Sequence, residues 1–166
     1  MKFSVAQDYK HSADSVFAVL TDVDLIRAKY EALGQSGIEL LSRDEADDGS
    51  LTIVTRRIVP LDLPGFAKRV LSPRQTVTQT DAWSAPDAKG TRVCTFTVDA
   101  KGTPVKIAGT LRLARKGARA CTDTTDVTIE CKVPLIGGKL ADFVAGDTRR
   151  AVDHEHAWTS SHLGGG

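Results

Sequence analysis

Two arginines, Arg56 and Arg57, stand side by side in the stretch SLTIVTRRIVP, residues 50–60, among apolar and β-branched neighbours. The run predicts a β-strand, whose successive side chains leave opposite faces. One guanidinium therefore points to water and the other to the inside of the sheet, with no signal for which is which. A guanidinium keeps its proton at physiological pH, so the inward one needs a balancing anion. Two kinds would serve: an acid such as Asp81 or Asp123, or a carboxylate, phosphate or phenolate on a ligand, which a planar fork of donors suits.

Other residue types that could do chemistry are less well placed. His154 and His156, in HEH, lie two apart in a helical segment, a separation of about 200° that prevents them from sharing a metal ion. His154 falls near the Asp147 and Trp158 side of that helix, either as an acid or base inside a cavity or as a hydrogen-bonded histidine at the helix margin. No strand–Ser–helix elbow marks a nucleophile. Cys94, Cys121 and Cys131 are an odd number without a CxxC spacing, and the latter two share one extended run, roughly 33 Å apart at strand rise. They are expected to be free, small and apolar in a reducing compartment. No metal or cofactor is implied.

These residues need elements to position them. KFSVAQDYK puts Phe3, Val5 and Tyr9 on one face of a first strand. Ser12 then caps a helix carrying Val16, Phe17 and Leu20, and a second short helix ends at Gly34. Six strand-like runs follow, separated mostly by Asp-Gly, Lys-Gly or Pro-containing turns, which predicts an antiparallel meander. The chain returns to helical spacing from about Gly138, with Leu140, Phe143, Val144, Ala151 and Trp158 on one side. That stripe is expected to bury itself in the concave face of the sheet, the one apolar surface of matching length.

A hairpin centred near Lys101 and Gly102 would set Phe96 opposite Ile107 and Val98 opposite Val105. The same face then carries Val77, Trp83, Cys94, Leu111, Leu113, Cys121, Val127, Ile129, Cys131 and Val133. Gln79, Asp81, Asp123 and Thr125 fall on it too. Polar groups on an inner face are costly unless paired, hydrated or met by a ligand, so a mostly apolar cavity with polar groups at a few depths is expected.

The order of one strand, two helices, six strands and a long C-terminal helix resembles the helix-grip fold of the START-like (SRPBCC) superfamily, which includes polyketide cyclases and sterol- and quinone-binding proteins. The resemblance covers nearly the whole chain. HSADSVFAVLTD, VPLIGGKLADFV and HEHAWTSSHL look like a family of uncharacterised actinobacterial proteins within it. The resemblance implies an α+β fold, a curved seven-stranded antiparallel sheet around the last helix, and an internal cavity for a lipid, isoprenoid or polyketide. It transfers no catalytic residue set. One domain over residues 1–162 and a disordered tail over 163–166 are expected.

The chain has 166 residues, 41% of them hydrophobic and 26% charged, with a net charge of +1. This balance argues against disorder and against nucleic acid as a partner. No apolar block opens the chain and none approaches a membrane span, so a cytoplasmic location is expected. The connection LDLPGFAKRVLSP, residues 61–73, mixes Leu63, Phe66 and Val70 with basic residues. As a short helix from Pro64 it would form a lid over one end of the grip or make transient contact with anionic membrane. The expected function is a carrier or sensor of a hydrophobic small molecule. Two alternatives stand beside it: a cyclase or hydrolase using Asp81, Asp123, His154 and an arginine, and a regulatory module without a ligand. The oligomeric state is not indicated.

Overall fold

The structure, a computed structural model, describes residues 1–163. It contains β1 (Lys2–Tyr9), α1 (Ala13–Thr21), α2 (Val23–Ala32), β2 (Ser36–Glu45), β3 (Leu51–Pro60), β4 (Arg74–Trp83), β5 (Arg92–Ala100), β6 (Val105–Arg115), β7 (Cys121–Cys131) and α3 (Gly137–His162). The seven strands form one antiparallel sheet in the order β1-β7-β6-β5-β4-β3-β2, a meander closed by return of the chain's first strand to its last. With α3 against the sheet and two short helices after β1, this is the helix-grip fold. None of the described helices is long and apolar enough to cross a membrane.

Local signals set most boundaries. The Ser12 hydroxyl accepts the Ser15 N–H at 3.1 Å and starts α1. Asp22 ends α1 and also caps α2, accepting from Leu25 N–H at 3.0 Å, so the two helices meet without a linker. Leu163, expected in the tail, is the C-cap residue of α3 and packs against the core. Residues 164–166 of the expected tail lie outside the described residues.

The register of β5 and β6 differs from the expected one by two residues: Phe96 faces Gly109 and Val98 faces Ile107. The connection is wider than a two-residue turn. Thr103 N–H closes back on the Ala100 carbonyl at 3.2 Å, and Pro104, which has no N–H to give the ladder, stays outside it. A slip of two keeps every side chain on its face, which is why the inner face survives the error. The long helix keeps the expected face at Leu140, Phe143, Val144 and Ala151 and departs from it at Trp158. Its buried face runs through Leu140, Ala141, Val144, Ala145 and Thr159, while Trp158 is half-buried and stacks on His162 at 3.7 Å between ring centroids. An aromatic ring with a local partner need not point to the core.

Two apolar clusters form. One packs α1 and α2, through Val16, Ile26 and Tyr30, on Ile53, Trp83 and Cys121. The other packs the start of α3, through Leu140 and Val144, on Val105, Val127 and Ile129. The 61–73 connection belongs to the second cluster. It contains a short helix of one 3₁₀ turn at Gly65–Ala67, with Pro64 at its N-cap; Leu63 and Ala67 are buried, and Phe66 and Val70 pack beside them. Phe96 packs against both clusters.

Gly109 makes room for that ring. A Cβ at this position would lie 2.0 Å from the Asp126 carbonyl oxygen and 2.7 Å from Phe96 Cζ. Gly109→Ala should therefore destabilise the fold by about 3 kcal/mol or more in urea unfolding, at the upper end for overpacked sites. A loss below about 0.5 kcal/mol would show that β6 and Phe96 are not held in this contact.

Candidate functional site

Between the two clusters, under α3, lies a cavity of about 220 Å³. Its walls are mainly apolar, from Leu71 and Val77 through Phe96 and Ile107 to Val127 and Val144. Residues expected at a ligand cavity that line it are Arg57, Gln79, Asp81, Trp83 and Phe96 from the middle strands, with Leu111 and Asp123 from β6 and β7 and Val144 and Asp147 from α3.

Arg57 is the inward member of the pair. It is 6% exposed, whereas Arg56 points outward and meets Glu39 at 2.7 Å. The strand is regular here, with Arg56 opposite Thr78 and Arg57 opposite Val77, so alternation holds. Among the described residues no carboxylate touches the Arg57 guanidinium, contrary to the acid-pairing expectation. Its Nε donates to Gln35 Oε1 and its Nη2 to Gln79 Oε1 at 2.8 Å, and its Cζ lies 3.9 Å from the centroid of the Tyr30 ring. Gln79 turns its other end to Asp81, donating from Nε2 to Oδ1 at 2.9 Å. The amide separates cation from carboxylate and orients its dipole to suit both. Among the described residues, Arg57 Nη1 is buried with no hydrogen-bond partner.

The remaining polar groups follow burial. Lys29, on α2, pairs with Glu155 on α3 at 3.5 Å. Burial alone would depress its ammonium, but Glu155, Tyr30 and Asp81 more than reverse this and hold its pKa above the ordinary value. Burial raises the Asp81 and Tyr30 pKa values, against the pull of Gln79 on the first and Arg57 on the second. Burial also pushes Asp123 up to about 6, although Thr125 donates to its Oδ1 at 3.0 Å and His156 lies near.

Several expectations are corrected. His154 is exposed and outside the cavity; His156 and Glu155 line it instead, because the α3 face is one residue out of the phase that Trp158 suggested. Leu63, Phe66 and Val70 do not line the cavity, and from the 61–73 connection Leu61 and Leu71 do. Lys29, Tyr30 and Gln35 were missed. Lys29 and Tyr30 share a helical face with Ile26 and Leu33, a spacing that could have placed them inward. Gln35, beyond the helix end, carries no such signal.

The sequence model of DUF2505, a family of proteins of unknown function, matches residues 4–163. The chain belongs to the DUF2505 family. An uncharacterized protein of Mycobacterium tuberculosis is 25% identical over 95% of this chain and 94% of its own length. Among solved structures, the fold is similar to the Zhui aromatase/cyclase of a Streptomyces species, with a TM-score of 0.66 and 15% identity over 98% of this chain and 93% of that one. It is also similar to a START superfamily protein of Mycobacterium smegmatis, with a TM-score of 0.56 and 15% identity over 98% and 96%. At these identities the likeness concerns the fold, and this DUF2505 member shares the architecture of those two proteins.

Asp123 gives a test of the buried charge. Its native pKa lies above the ordinary value near 4, so between about pH 4 and 6 the native state holds a proton that the unfolded chain has released. Stability from this group is therefore present at the acid end and lost as pH rises through about 6, by on the order of 3 kcal/mol. Asp123→Asn keeps an oxygen for Thr125 and should gain stability over the parent progressively from pH 4 to 7 in urea unfolding. A difference that stays flat with pH would contradict this burial.

Proposed function

We propose that this chain binds a hydrophobic small molecule in the cavity between the sheet and α3, as a carrier or sensor. The observation that carries the proposal is the recessed, partly open and mostly apolar space left between two well-packed clusters, with its polar groups gathered on a few side chains. Space of this kind is not needed for stability. Close packing would be more stable, and unfilled volume costs contact energy. A cavity of about 150 Å³ suffices for benzene, so 220 Å³ admits a body of one or two fused rings or a short isoprenoid-sized unit rather than a two-chain lipid. The START and cyclase relatives in fold support the same reading by analogy. The free thiols support a reducing, cytoplasmic setting.

A cyclase or hydrolase reading has one observation in its favour: Asp123, in the cavity wall, is held near the pKa that suits a general acid or base. Asp81 lies in the same wall, while the exposed His154 has no part in it.

Native mass spectrometry of gently purified protein, followed by organic extraction, tests both readings. A noncovalent adduct that is released on denaturation and recovered unchanged after incubation supports the carrier. Conversion of the recovered molecule, lost in Asp123→Asn, supports the enzyme. A bare protein mass that shows no adduct after incubation with compact apolar compounds would count against either. Val144→Phe, which fills the cavity from α3, is expected to lower occupancy at least tenfold, since ligand and ring compete for one space.

A further inference from the structure

Arg57 is the one cation in the cavity wall that no carboxylate touches among the described residues. Lys29 has Glu155, and Asp81 takes its hydrogen bond from Gln79. Three groups hold the guanidinium: Gln35 on Nε, Gln79 on Nη2 and the Tyr30 ring on its face. What is left is Nη1, buried and without a partner, in a side chain that lines the cavity. A permanently charged group with an unused donor is a costly arrangement in a protein interior. The glutamines and tyrosine do not neutralise it; they fix its plane and leave one corner for something else.

We infer that Arg57 Nη1 is an oxyanion subsite, and that the ligand is a compact apolar acid whose single carboxylate or phenolate oxygen meets it. The inference rests on the cavity being a ligand site and adds the chemistry of the ligand's polar end. The stoichiometry of donors sets the class. The two N–H groups of one free nitrogen converge on a single oxyanion with at most one charge, whereas a phosphate would need donors on several sides to offset its second charge and its desolvation. The volume sets the body to about two fused rings on the scale where 150 Å³ holds benzene. The aromatic walls at Trp83 and Phe96 suit a flat one.

A matched pair of probes separates this inference from the cavity reading: β-naphthoate and β-methylnaphthalene, nearly equal in shape and differing in the charged group. Both should bind, with the naphthoate favoured. Arg57→Met should weaken the naphthoate by about ten- to a hundredfold, the range for a hydrogen bond to a charged group. It should change the neutral probe by less than about twofold. If both probes bind the parent equally, or Arg57→Met weakens both alike, the oxyanion subsite is wrong while the cavity reading stands. If neither binds, both fall. Should Arg57→Met fail to fold, arginine side-chain NMR of the parent decides: the Arg57 Nη resonances should move with the naphthoate and stay with the neutral probe. No movement with a bound naphthoate would overturn the subsite.

Discussion

A guanidinium cannot shed its proton to escape burial, and the regular alternation of β3 carries Arg57 inward once Arg56 has found Glu39 outside. The interior must then accommodate a fixed cation. The structure does this with neutral groups: amide oxygens of Gln35 and Gln79 and the face of Tyr30. Each needs its own support. Gln79 is oriented by Asp81, Tyr30 is held by the turn of α2 that also carries Lys29, and Lys29 is tied to α3 by Glu155. The polar groups thus connect α2, β3, β4 and α3, the elements that enclose the middle of the molecule.

The apolar residues divide around this polar layer. A single continuous core would have to bury Arg57, Asp81 and Asp123 without water or partners, which burial already penalises by raising both carboxyl pKa values. The two clusters instead gather around α1 and α2 on one side and the start of α3 on the other, and the space remaining between them is the cavity. Phe96, reaching both clusters across Gly109, keeps that space bounded. The features that make the site usable, a fixed charge and incomplete filling, are also those that limit its stability.

The DUF2505 chain shows which local rules reach a binding site and which stop short. Strand alternation places Gln79, Asp81 and Asp123 on the inner face even though the hairpin register is two residues out, because facing depends on parity and not on the partner. Helical phase is less forgiving. Weighting the end of α3 by its largest apolar residue, Trp158, turned the expected face toward His154, whereas Thr159, Glu155 and Val152 line the cavity. In the 61–73 connection, composition suggested a lid, but apolar residues there complete the second cluster.

From sequence alone follow the element order, the inward-facing set on the strands, and the presence of one arginine inside, since these depend on periodicity and on short-range capping by Ser12 and Asp22. Which arginine turns in, what holds it, and how much space remains depend on contacts between residues far apart in the chain. Gln35 and Gln79 meet Arg57 across 22 positions, and Lys29 meets Glu155 across the whole molecule. No local pattern encodes such meetings. They are decided when the sheet bends around α3 and the geometry selects which side chains can reach one another.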